Sequence, residues 1–518
     1  MRAKPIGILA AALVVALGAC SSTAATLDGT VKVGGIILDE EGDRSAVQET
    51  YNVYDGLAVS QVLLNGRLSG GNSFFLDARD LNLDSRQGSF VYRIPQRLRL
   101  SAQYDQHRQV FDPLRAVTSD RKEFNVGAEL TAGRWFGVSG SFGHLTREGD
   151  RLPFPSGTES VLGTRYDNVL QFGQITVHGQ KGRRGAALSF RASEYSNELD
   201  ARGDRSGRIV TARVYAPSPF YEKWTHMLRG AYGVRELSDT DVDYTLANFQ
   251  YTGIVEPVAA WQLRYNFEGN RIDHEATGLK TDRFVNDLDI LYFYPRGRIL
   301  AGYAYEINDD DRSLTSYHSW RAGVTYRSGS RIAAKLDYSA RVKNDQEDLT
   351  LLKDVEASRI RGSVQVQPVD RISLGGSYTK RQRELPDIDV KADGDVATGF
   401  GRYEIRSWGS VGVDYSYAND EYRDLAGRFD SESHFVTARA ELTRIKNLRL
   451  AGGGVYMDIG KDLDIEKSSV FVEGSYKVRG GYGLEVRYNV YNYDDYILLD
   501  RYYTANVVRI NLVYDLKL

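Results

Sequence analysis

Nearly everywhere from Gly29 to Leu518, apolar side chains recur at every second position. That is the period of a β-strand, whose successive side chains point to opposite faces. The last run shows it most cleanly: Val508, Ile510, Leu512, Tyr514, Leu516 and Leu518 alternate with Arg509, Asn511, Val513, Asp515 and Lys517. The stretches 98–105, 261–268, 332–339 and 484–490 repeat the pattern. No helical period competes with it past residue 28. About 26 such segments fit in the chain, each roughly 8–14 residues long.

The connections between segments alternate in length. Short ones are predicted near Gly70 and at 94–96, 132–133, 255–258, 295–297, 327–330, 367–370, 405–407 and 479–481. Longer polar ones are predicted at 39–56, 107–120, 146–164, 196–205, 342–354, 381–396, 418–431, 458–467 and 492–501. A soluble β-protein has no reason for this alternation. An outer-membrane barrel has tight turns on one side and long loops on the other. In hydrocarbon every backbone amide must be paired internally, so strands that span a bilayer must close into a ring. Trp135, Trp224, Trp261, Trp320, Trp408, Tyr326 and Tyr417 lie near the ends of apolar runs, as interface anchors do. The expected fold is all-β: one antiparallel up-and-down barrel over residues 26–518 without a plug, its even strand count placing both ends on the periplasmic side.

Composition removes other classes. One cysteine, Cys20, excludes a disulfide framework, a cysteine-rich zinc module and a cysteine-ligated iron–sulfur cluster. There is no CxxCH, so the chain attaches no c-type haem itself. A net charge of −3 excludes nucleic-acid binding driven by bulk positive charge. Arg2 and Lys4 precede an apolar stretch, Ile6–Leu17, and then small residues, so residues 1–25 read as a secretory signal peptide. Either Cys20 is lipidated at the LGAC box, or cleavage after Ala24 or Ala25 removes it.

A ring of about 26 strands is wider than the 16–18-strand porins and the plugged 22-strand transporters. Vacant, such a bore would leak solutes, so a second protein is expected inside it. The inward positions mix both signs. Arg99, Arg264, Glu268, Lys335, Asp337, Glu473, Lys477, Glu485, Arg487 and Arg509 are the predicted lumen-facing contacts for that partner. A diffusion porin would carry a similar wall, so width rather than charge carries this expectation.

The stretch EGDRSAVQETYNVYDGLAVSQVLLNG, then NSFFLDARDLNLDSRQGSFVYRIPQRLRLSAQYDQ, resembles the start of the MtrB/PioB family, the barrels of porin–cytochrome electron conduits. The likeness lies in the acidic first loop leading to Glu49, Tyr54 and Gly56, the Asp80–Arg86 element, and Tyr104–Asp105–Gln106. It implies an outer-membrane sheath around a periplasmic multihaem c-type cytochrome. The haem belongs to that partner, an outer-surface cytochrome is a further possible partner, and lipid and lipopolysaccharide surround the wall. This chain is shorter in its loops than better-known members, and it lacks a cysteine pair near the mature N-terminus that some of them carry.

The alternative is a general porin or a solute or polymer channel. An enzyme is not expected: His144 lies near Ser141 and His318 near Ser316, but neither has an orienting partner in the sequence. The acidic run 308–311 reads as a hairpin tip, and Gly452–Gly454 as a strand bend or a place of close approach.

Overall fold

A two-residue period buries nothing until its strands are paired on both edges, and here the pairing runs in a full circle. The computed structural model describes residues 24–42, 55–112, 117–150, 165–197, 204–237, 242–275, 277–311, 313–345, 355–386, 389–424, 427–478, 480–496 and 501–517. The predicted signal segment up to residue 23, with Cys20, and much of the predicted loops 39–56 and 146–164 lie outside the described residues.

Twenty-six strands follow in order. The first nine are β1 Ala24–Gly42, β2 Gly56–Leu68, β3 Ser73–Arg79, β4 Arg86–Ile94, β5 Leu98–Asp112, β6 Val117–Ala132, β7 Phe136–Asp150, β8 Arg165–Lys181 and β9 Arg184–Asn197. Next come β10 Arg205–Pro217, β11 Trp224–Leu237, β12 Val242–Val258, β13 Trp261–His274, β14 Lys280–Tyr294, β15 Gly297–Asp309, β16 Leu314–Ser328, β17 Ile332–Asp345 and β18 Val355–Val369. The last are β19 Ile372–Leu385, β20 Val390–Ile405, β21 Gly409–Asp424, β22 Gly427–Leu442, β23 Leu448–Lys461, β24 Ile465–Lys477, β25 Tyr482–Asp495 and β26 Arg501–Lys517. Each strand pairs antiparallel with the next, and β1 closes the ring by pairing with both β2 and β26.

Strands about 4.8 Å apart, tilted about 40°, give 26 of them a perimeter of roughly 160 Å; a circular section would be roughly 50 Å across the backbone. Among the described residues the longest runs outside strands are six residues, 80–85 and 218–223, and no plug domain is seen.

Several predicted loops are in fact strand. Polar residues at 381–396 were expected to form a long loop, yet β19 runs to Leu385 and β20 starts at Val390. Likewise β21 and β22 are separated by two residues within the predicted loop 418–431, and β5 and β6 occupy most of 107–120. These ends continue the ladder with polar side chains. Cross-strand ion pairs take the place of apolar contacts, as between Lys391 and Glu384 at 2.7 Å and between Arg428 and Glu421 at 3.2 Å. The strands therefore outgrow the expected range, reaching 19 residues in β1. Two predicted turns also move. Strand β12 runs through 255–258 to end at Val258, and β18 runs into 367–370 to end at Val369, with the pairing slipping between Val255 and Val258 and between Val366 and Val369. Pro257 and Pro368 sit inside those slips, because proline has no N–H to give to the ladder.

Four of the five tryptophans gather at the short-turn end: Trp135 and Trp408 in turns, Trp224 and Trp261 opening β11 and β13. Trp320 lies near the middle of β16, beside Tyr303 and His318. The four tryptophans at the short-turn end are placed as interface anchors are.

Candidate functional site: the lumen wall and its seam

Residues paired across an antiparallel ladder share a face. Register therefore carries one face from strand to strand around the ring. On one face stand Leu512, 69% exposed, with Ile37, Ile175 and Val472. That face carries the apolar belt toward lipid, so the other faces the lumen. The lumen face contains all ten sequence-predicted positions: Arg99, Arg264, Glu268, Lys335, Asp337, Glu473, Lys477, Glu485, Arg487 and Arg509.

The structure joins several of them into ladders. Lys32 reaches across β26 to Glu485 at 2.7 Å. Glu473 takes Arg487 at 3.7 Å and Arg449 at 3.1 Å, and Arg449 continues to Glu441 at 2.7 Å. Lys477 meets Asp515 at 3.1 Å, which also accepts from the Thr30 hydroxyl at 2.8 Å. A second ladder runs from Glu268 through Arg283 (3.7 Å) and Glu306 (2.8 Å) to Arg341 (3.0 Å). Lys335 pairs with Asp337 on its own strand at 2.6 Å. Arg99 stands in register between Arg93 and Glu129. Arg264 faces Asp289 in register, but Arg321 engages that carboxylate at 2.6 Å. Half-exposed ion pairs contribute about 0–1 kcal/mol each. Their main effect is to hold the wall's polar groups in fixed directions.

Two of these pairs span three strands over a glycine. Asp289, Gly302 and Arg321 are in register, and a Cβ on Gly302 would lie 2.3 Å from the Asp289 carboxylate and 2.6 Å from Arg321 Nε. Arg381, Gly394 and Asp420 repeat the device, with the ion pair at 2.6 Å. Gly453, central in the predicted close-approach run, likewise lies beneath the Phe471 ring.

Both clusters of buried apolar side chains among the described residues lie at or beside the closing seam. Strands β3 and β4 are only 7 and 9 residues long, because the chain leaves the wall at Asp80 and re-enters it at Arg86. The intervening segment folds onto the inner face. Asp80 and Leu81 donate backbone N–H groups to Ser60 and Val59. Asn82 accepts from the Val59 N–H and donates to the Leu57 carbonyl. Leu83, 7% exposed, packs with Ile36, Ala58, Tyr503, Ala505 and Val507. This tuck thus bridges β2 and the closing pair β1 and β26, the first and last strands of the ring. Arg509 reaches Asp80 at 3.3 Å. Ser60 is a bulge, since Lys32 pairs with Gln61 and Val33 with Val59. Its hydroxyl donates to Asn511 at 2.8 Å, and Asn511, 2% exposed, donates to Glu485 at 3.3 Å.

The sequence reading missed the tuck's inward course, the bulge and the arginines of β9–β11. The tuck carried one signal: Leu81 and Leu83 alternate with polar residues inside a run too polar for a strand. The enzyme candidates separate. Ser141 faces the lumen while His144 faces the belt, and His318 bonds the Tyr303 hydroxyl at 2.7 Å. At 308–311 Asp310 caps the turn by accepting from the Ser313 N–H at 2.6 Å, as a hairpin tip does. Among the described residues no group of three or more His, Cys, Asp or Glu is arranged to hold a metal ion.

No protein-family model matches this sequence, and no curated protein matches it. Solved structures do. The siderophore receptor PirA from Acinetobacter baumannii is 9% identical, with a TM-score of 0.56 over 95% of this chain and 80% of that one. The FrpB iron transporter from Neisseria meningitidis is 10% identical, with a TM-score of 0.52 over 94% and 81%. The ferric-catecholate import receptor Fiu from E. coli K12 is 10% identical, with a TM-score of 0.50 over 96% and 82%. At such identities the likeness is one of fold, and the fold is that of a large outer-membrane β-barrel.

Proposed function

We propose that this barrel is an outer-membrane sheath that houses a periplasmic multihaem c-type cytochrome and lets electrons cross the outer membrane. The observation that carries this reading is the width of the ring. Twenty-six strands enclose a bore into which no described run outside the strands longer than six residues could reach. A guest protein closes such a bore, and a closed bore does not leak. The Asp80–Arg86 element, on which the MtrB/PioB resemblance partly rests, supports the reading by its place: it lies on the inner face at the seam. The barrel does no chemistry of its own. It excludes lipid and water and fixes the guest's position, while the haems carry the electrons.

Extraction in mild detergent tests this. The barrel brings with it a haem-staining protein in fixed ratio. A colourless, partner-free barrel from cells expressing its genomic neighbours contradicts the reading. A second reading, a solute or polymer channel, is favoured by the fold it shares with import receptors. The two separate in planar bilayers. A sheath conducts broadly alone and stops conducting once its cytochrome is restored, whereas a channel keeps its conductance.

A further inference from the structure

We infer that the lumen wall of β8–β11 carries a binding site for multivalent oxyanions, bearing clustered phosphate or carboxylate groups. The inference is independent of whether the bore holds a cytochrome.

Register places Arg191, Arg205, Arg213, Arg229 and Arg235 on the lumen face of β9–β11. Along the same face, β8–β11 contribute no aspartate or glutamate at all. The contrast with β13–β17 is sharp, since Arg283, Arg321 and Arg341 there each hold a carboxylate. Among the described residues no carboxylate pairs with Arg191, Arg213 or Arg229.

These three line a recess of about 450 Å³, together with the hydroxyls of Thr176, Ser189 and Thr211. Every residue lining it lies on the lumen face. Arg213 stands directly opposite Arg229. Like charges directly opposite across a ladder repel and destabilise it. The Arg191 guanidinium carbon lies 5.4 Å from the centre of the Phe172 ring, and the residue is exposed to the lumen. Three guanidinium forks around hydroxyl donors offer many N–H and O–H groups and no internal acceptor with a charge. Arginine forks recognise carboxylate and phosphate oxygens in pairs. Rings of such groups are how anion pores select their cargo. A multivalent oxyanion both relieves the Arg213–Arg229 repulsion and satisfies the donors.

Calorimetric titration of sodium tripolyphosphate into the purified barrel, in non-ionic detergent at low salt, tests the site. Wild type binds saturably. The variant carrying Arg191→Gln, Arg213→Gln and Arg229→Gln binds at least about tenfold more weakly. A control carrying Arg298→Gln, Arg402→Gln and Arg439→Gln removes equal charge elsewhere on the lumen wall, and it stays within about threefold of wild type. Slower migration of heated than unheated samples on denaturing gels reports that each variant is folded. Arg213→Gln alone, which removes one of the opposed pair, weakens binding in the same direction and replaces the triple variant if that does not insert. Absence of saturable binding to wild type overturns the inference. So does an equal loss in the control, because binding would then follow the diffuse charge of the wall.

Discussion

Replacing Leu83 with alanine probes the seam most sharply. Leu83 comes from a segment outside the ladder, yet it is 7% exposed against Ile36, Ala58, Tyr503, Ala505 and Val507. The change deletes three carbons, a transfer loss of roughly 2.4 kcal/mol at about 0.8 kcal/mol per carbon. The neighbours belong to β1, β2 and β26 and are held by ladder hydrogen bonds, so the cavity collapses little and adds to that loss. The expected destabilisation is about 3 kcal/mol, inside the roughly 2–5 kcal/mol range for buried leucine truncation. Urea unfolding in detergent micelles, followed by tryptophan fluorescence and by gel migration, measures it. Leu83→Met, which keeps the volume, stays within about 1.5 kcal/mol of wild type. An alanine variant within about 0.5 kcal/mol of wild type, the range of ordinary surface changes, refutes the docked tuck.

Other changes test the wall in the same assay. Gly302→Ala pushes a methyl between Asp289 and Arg321 and lowers stability by about 1–3 kcal/mol, whereas Gly230→Ala, with open space around its Cβ, changes it little. In Gly34→Ala the new Cβ would lie 1.8 Å from the Ile510 carbonyl oxygen, so β1 and β26 cannot zip and the heat-modifiable gel band is lost. Asn511→Leu strips Ser60 of its acceptor and Glu485 of a donor and costs about 1–3 kcal/mol.

Much of this architecture is legible in the sequence because a two-residue period loses phase only at a bulge or a slip. That is why ten positions scattered from Arg99 to Arg509 fall on one face. Strand ends above the bilayer were not legible. Around Lys391 and Arg428 the outward face itself is charged, with Asp393 and Asp395 following Lys391 and Asp430 and Glu432 following Arg428, so the apolar-outward pattern ends before the strand does. Pro257 and Pro368 looked like turn residues, although each is the next-to-last residue of its strand and lies within a slip of the pairing. Leu83 sits in DLNLDS, whose polarity resembles a loop, and only the fold brings β26 beside it. The oxyanion recess is likewise a product of register. Arg213 and Arg229 are ordinary lone arginines until pairing sets them opposite each other.

Imaging the barrel as extracted from its native membrane, by single-particle electron microscopy in mild detergent, tests the central claim most directly. The account predicts that the bore is filled by a separate chain carrying haem, seated within the complete ring. A ring whose centre holds only solvent, or one stoppered by a folded part of this same polypeptide, contradicts it.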